Sequence, residues 1–110
     1  MNIPKEQENK IEELQLIEQN IQNLLVQKQR FQTELIEVEN ALIELNKPKC
    51  SPYKVINGVM FAAKPEELKK ELTSKKEVIN IRLKNIEKQE QELRKKADTL
   101  QREVLKELKR

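Results

Sequence analysis

The chain has a single glycine, Gly58, and it follows Asn57 at the centre of the run Tyr53-Lys54-Val55-Ile56-Asn57-Gly58-Val59-Met60-Phe61-Ala62. Asn-Gly is the preferred pair for a two-residue type I′ turn, because both turn positions need positive φ. The flanking residues are β-branched or aromatic, so the run predicts a β-hairpin. Ile56 then faces Val59, Val55 faces Met60, Lys54 faces Phe61 and Tyr53 faces Ala62. Alternation puts Tyr53, Val55, Met60 and Ala62 on one face, and Ile56, Val59 and Phe61 on the other. Both faces are largely apolar, and an isolated two-stranded hairpin is marginal in water. No other segment reads as a strand that would complete the sheet. The hairpin is therefore expected to find strands on other chains, the alternative being that it folds down as a cap on its own helices.

On either side of the hairpin the period changes from two to the helical repeat. Before it, apolar residues fall in alternating steps of three and four: Leu14, Ile17, Ile21, Leu24, Phe31, Leu35, Val38, Leu42 and Leu45, with Lys28 at the one polar position. After it the same steps run through Leu72, Lys76, Ile79, Leu83, Ile86, Glu90, Leu93, Ala97, Leu100 and Val104. Seams this long predict coiled-coil helices, and polar seam residues such as Lys28 and Glu90 usually fix register at some cost in stability. Pro4 suits the start of the first helix, while Pro48 and Pro52 end it. Pro65 opens the second helix, with Glu66 and Glu67 well placed in its first turn but no good side-chain cap before it. The expected fold class is mainly α: a long antiparallel coiled-coil helical hairpin with one β-hairpin at the turn. It forms a single domain, with helices over about 4–47 and 65–109 and the hairpin over 53–62.

Charge supports folding back. Residues 1–47 hold five Lys/Arg against nine Asp/Glu, residues 48–65 three against none, and residues 66–110 fourteen against ten, giving −4, +3 and +4. An acidic arm attracts a basic one, whereas two copies of one arm repel. Charged residues are 37% and aromatics 3% of the 110 residues, which is unlike an ordinary compact core and fits long amphipathic helices.

The same composition excludes several function classes. The chain has no His and one Cys, Cys50, so neither an intrachain disulfide nor a Cys-based zinc site is expected. It has no phosphate-cradling glycine loop and no concave core in which carboxylates could be desolvated, so no enzyme, metal or cofactor is expected. Nucleic-acid binding would need a continuous basic stripe with stacking aromatics, but ten acidic residues interleave the basic arm. No apolar run approaches membrane-spanning length and the first residues are polar, so a soluble cytoplasmic protein is expected.

Helix, hairpin, helix, with the hairpin reading Tyr53-Lys54-Val55-Ile56-Asn57-Gly58-Val59-Met60-Phe61, resembles the archaeal-type prefoldin β family. The likeness extends to Leu72, to Lys75-Lys76-Glu77 and Ile86-Glu87-Lys88-Gln89-Glu90 in the second arm, and to Lys28-Gln29-Arg30 in the first. It covers essentially the whole chain. One hairpin and a short connection match the β class rather than the α class, which carries two hairpins. The resemblance implies a subunit of an ATP-independent chaperone, a hetero-hexamer of two α and four β subunits whose hairpins form a double β-barrel platform. It also implies that coiled-coil tips grip unfolded protein clients and pass them to a group II chaperonin. A structural coiled-coil scaffold without holding activity is the competing reading, and it gives no reason for an apolar Asn-Gly hairpin.

A holding surface needs exposed apolar groups that accept many sequences. In an antiparallel pair the two chain ends meet at one tip. Near the first end Gln7 and Lys10 fall on the extrapolated seam, while Ile3, Ile11 and Leu16 fall off it. Near the second, Leu105 and Leu108 leave the seam beside Val104. Ile3, Ile11, Leu16, Val104, Leu105 and Leu108 are the candidate client contacts. Tyr53, Val55, Ile56, Asn57, Gly58, Val59, Met60 and Phe61 are the candidate oligomerisation residues. Lys95, Lys96, Lys106, Lys109 and Arg110 offer charge for an acidic partner, or simply a solvated helix face.

Overall fold

A computed structural model describes residues 4–109. Helix α1 runs Lys5–Leu45, strands β1 and β2 span Tyr53–Ile56 and Val59–Ala62, and helix α2 runs Pro65–Leu108. Neither helix contains an internal Gly or Pro, so nothing interrupts its backbone ladder. Pro4 starts α1 from outside. Its carbonyl accepts the Gln7 and Glu8 N–H groups at 2.9 and 3.1 Å, and Glu6 and Glu8 sit in the first turn, where the helix dipole favours negative charge.

The end of α1 comes two residues earlier than the proline spacing predicts. The Asn46 N–H is shared between the Leu42 and Ile43 carbonyls, and Lys47 N–H bonds Glu44 O, all at 3.2 Å. These bonds tighten the last turn into a 3₁₀ pattern before Pro48. Lys49 then takes a φ of 63°, turning the chain away. At the start of α2 the Lys64 carbonyl accepts Leu68 N–H at 3.0 Å, the first bond of the helix ladder.

The chain divides into two compact units, one of the residues up to Gln29 with those from Lys84 on, the other Arg30–Leu83. Within the first, Ile17, Ile21 and Leu24 of α1 and Ile86 and Val104 of α2 are buried. The cross-helix contacts Lys10 to Glu103 at 3.4 Å and Lys28 to Glu90 at 3.9 Å make its helices antiparallel. Within the second, Val38, Leu45 and Ile79 are buried. Glu39 meets Lys76 at 4.0 Å, and the Arg82 guanidinium lies 5.7 Å from the Phe31 ring centroid, again antiparallel. Every seam position marked by the spacing is buried or half-buried, from Leu14 to Leu45 and from Leu72 to Val104.

The ion pairs refine the charge argument. Of the three cross-helix ion pairs among the described residues, one, Glu39–Lys76, joins an acid of α1 to a base of α2; Lys10–Glu103 and Lys28–Glu90 run the other way. The net attraction between the arms is therefore a diffuse field rather than the sum of these contacts. Pairs this long and this accessible contribute about 0–1 kcal/mol each, so the apolar seam holds the helices together.

Candidate assembly and client surfaces

The hairpin forms in the register its sequence demands: Tyr53 with Ala62, Lys54 with Phe61, Val55 with Met60 and Ile56 with Val59. Asn57 and Gly58 take φ values of 50° and 80°, both in the left-handed region a type I′ turn requires. Ala63 N–H donates to Pro52 O at 3.0 Å and closes the base of the ribbon. The sheet has two strands, and no further strand exists among the described residues.

Tyr53, Val55, Ile56, Val59, Met60 and Phe61 are all exposed. The hairpin therefore does not bury either apolar face against the helices, which excludes the capping alternative for the chain by itself. Among the described residues an ion pair ties it to α2: Lys54 Nζ lies 2.8 Å from both carboxylate oxygens of Glu71. Unpaired strand edges beside six exposed apolar side chains are a site for association with other strands.

In the unit that carries the helix ends, Leu16, Leu105 and Leu108 are exposed and Ile11 is half-buried. Ile3 lies outside the described residues, as does Arg110. Val104 is a correction. It is 8% exposed, because the three-four spacing carries it into the seam, so it packs between the helices instead of lining an open surface. Gln7 takes the place that the extrapolated seam gives it. It is 4% exposed and continues the seam, with its Oε1 buried and unpaired. The seam thus reaches closer to the chain start than its apolar residues indicate.

A further set of aliphatics outside the expected surfaces is exposed: Val26, Ile36 and Ile43 on α1, and Val78 and Ile81 on α2. Their signal was available, since all five stand off the seam. Lys95, Lys96, Lys106 and Lys109 are exposed, and Cys50 is a half-buried free thiol. Among the described residues no group of three His, Cys, Asp or Glu is placed to hold a metal ion, and no helix is long and apolar enough to cross a membrane.

A family model described as prefoldin subunit matches residues 8–110. The chain is 34% identical over 103 residues to a prefoldin subunit beta of Archaeoglobus fulgidus, covering 91% of this chain and 89% of that one. It is 35% identical over 104 residues to a prefoldin subunit beta of Caldivirga maquilingensis, covering 93% and 86%. The crystal structure of the prefoldin beta subunit from Thermococcus strain KS-1 superposes with a TM-score of 0.89 at 29% identity, covering 99% of this chain and 97% of that one. Helix, two-stranded hairpin and helix, with family-wide sequence likeness across nearly the full length, establish that this chain belongs to the prefoldin subunit family and is similar to its β subunits.

Proposed function

We propose that this chain is a subunit of an ATP-independent chaperone, in which its hairpin joins those of other prefoldin subunits and its helix ends hold unfolded polypeptide. In this reading the assembly is a hetero-hexamer of two α and four β subunits in the cytoplasm, and the held client passes to a group II chaperonin. The chain itself performs no catalysis. The observation that carries the reading is the hairpin: both faces are apolar and exposed, and no third strand covers an edge among the described residues. A helical rod that served only as a spacer gains nothing from such a ribbon, which is a liability unless partner chains cover it. Leu16, Leu105 and Leu108 supply accessible aliphatic surface in the unit of the helix ends. Being unbranched at Cβ and more than half exposed, they can adapt to many sequences, as a promiscuous binder requires.

The test mixes this chain with the prefoldin α subunit of the same genome and measures the product by native mass spectrometry. The expected product is a discrete hexamer that suppresses aggregation of a client diluted from denaturant, with no nucleotide present. Failure to form any defined complex would overturn the assembly reading. A hexamer without holding activity would leave a scaffold in its place.

A further inference from the structure

Lys54 is the only charged residue in the hairpin. Its side chain does not project into solvent alone: Nζ sits 2.8 Å from Glu71 Oε1 and 2.8 Å from Oε2, in the second turn of α2. Phe61, the cross-strand partner of Lys54, lines the same cleft with Glu67 and Leu68 of α2, and Ala62 at the base of the ribbon borders it as well. Cross-strand partners share a face, so the face carrying Lys54, Ile56, Val59 and Phe61 is the one turned toward α2. Exposure agrees with this orientation. Ile56, Val59 and Phe61 are 47–54% exposed, whereas Tyr53, Val55 and Met60 on the other face are 60–65% exposed.

We infer that the Lys54–Glu71 ion pair orients the hairpin so that its charge-free face, carried by Tyr53, Val55 and Met60, is presented to the hairpin of another prefoldin subunit. The inference rests on the assembly reading above and specifies which face performs it. An exposed ion pair adds little to stability, so the part played by Lys54 is geometric. Gripping both oxygens of one carboxylate fixes the tilt of a ribbon that is otherwise joined to the helices by short connections. The occupant follows from the chemistry of the presented face. That face has no ionic group to satisfy, and it is bordered by strand edges whose N–H and C=O groups need partners. A second apolar hairpin supplies both the side chains and the backbone groups, while a small ligand or a charged surface supplies neither.

Cysteine protection reads the face directly. In a Cys50→Ser background, Val55→Cys and Val59→Cys place a thiol on opposite faces of the hairpin. Each is assembled with the prefoldin α subunit and treated with a maleimide. Assembly is expected to slow labelling at position 55 at least tenfold and at position 59 less than threefold. Equal protection at both positions, or greater protection at 59, overturns the face assignment while leaving assembly through the hairpin intact. A hexamer that protects neither position overturns both readings. Protection of position 55 by an unfolded client, with none from the α subunit, makes the occupant a client and also overturns the inference.

The brace has its own test. Lys54→Glu and Glu71→Lys singly are expected to raise the concentration needed for half-assembly about fivefold, and the exchanged double variant to restore it within twofold. A purely structural loss at either site would not be rescued by exchange. Wild-type assembly in both single variants, or no rescue in the exchange, removes Lys54 from this role.

Discussion

Lys28 and Glu90 face one another across the helix seam, with Nζ 3.9 Å from Oε1, at positions where the three-four spacing asks for two apolar side chains. Glu90 Oε2 is held by Arg94 Nε at 2.9 Å, but Oε1 is buried without a hydrogen bond, the lysine being too distant to make one. This layer is therefore imperfectly satisfied. It costs desolvation and returns register, since sliding either helix by a heptad would leave each charge facing an aliphatic side chain.

Replacing the whole layer tests that balance. Lys28→Leu with Glu90→Leu is expected to raise unfolding stability by about 1 kcal/mol, because two packed aliphatics complete the seam where a half-buried ion pair leaves one buried carboxylate oxygen unsatisfied. Lys28→Leu alone should lower it by about 1 kcal/mol, because Glu90 keeps a buried oxygen and loses its cross-helix cation. Urea unfolding of the three proteins decides. A double variant less stable than the parent would show that the layer is a net stabiliser.

What the sequence made legible follows from periodicity. The seam and the hairpin register depend on side-chain spacing of 3.5 and 2, and both appear at the residues the spacing marks, from Leu14 to Val104 and from Tyr53 to Ala62. Gln7 falls on the extrapolated seam and is buried there, because burial at a helix end follows geometry even where the residue is polar. Val104 lies close to the chain end, yet its place on the seam decides its burial. The Lys54–Glu71 pair was out of reach, since it joins residues 17 apart whose distance is set by how the ribbon leans on α2.

The distinction between Val104 and its neighbour Leu105 can be measured. Val104 is buried and Leu105 exposed. Val104→Ala should cost about 1–2 kcal/mol, the scale of removing two buried methyls and leaving a small cavity. Leu16→Ser, Leu105→Ser and Leu108→Ser combined should change helix-pair stability by less than about 1 kcal/mol, as exposed sites do. The same triple variant should lose suppression of client aggregation while still assembling. Thermal unfolding and light scattering read the two effects separately. Full holding activity in an assembled triple variant would remove these leucines as client contacts.

Ile79 and Ile81 provide a matched pair in the other unit. They are two residues apart on α2, yet Ile79 is 2% exposed and Ile81 is 59% exposed. Ile79→Ala should destabilise by about 2–4 kcal/mol, since a buried isoleucine leaves both lost transfer energy and a cavity. Ile81→Ala should be neutral or slightly stabilising, because alanine has the higher helix propensity. Circular dichroism during urea unfolding, on the unassembled chain, makes the comparison free of partner effects. Equal losses at the two positions would mean that the seam is not where α2 packs.

The turn gives a prediction that separates hairpin from helices. Gly58 has a φ of 80° and nothing within 4 Å of where a Cβ would stand, so a larger residue there meets no clash with distant atoms. The penalty for Gly58→Val is therefore local backbone strain: a β-branched residue in the left-handed region costs about 1–2 kcal/mol. That strain falls on a two-stranded ribbon with little stability of its own. The helix seam lies outside it, so the unassembled variant should keep its helical content and melting temperature within about 2 °C, the response expected when the seam loses no contact. Mixed with the α subunit, it should assemble at least fivefold more weakly, because the ribbon must be refolded against the strain before it can pair. Asn57→Gly is the control, since glycine accepts the φ of 50° at that position and should assemble close to the parent. Parent-like assembly of Gly58→Val would mean that partner chains do not require the type I′ hairpin. A fall in the melting temperature of the unassembled variant would mean that the hairpin helps to hold the helices together as well as presenting a surface to other subunits.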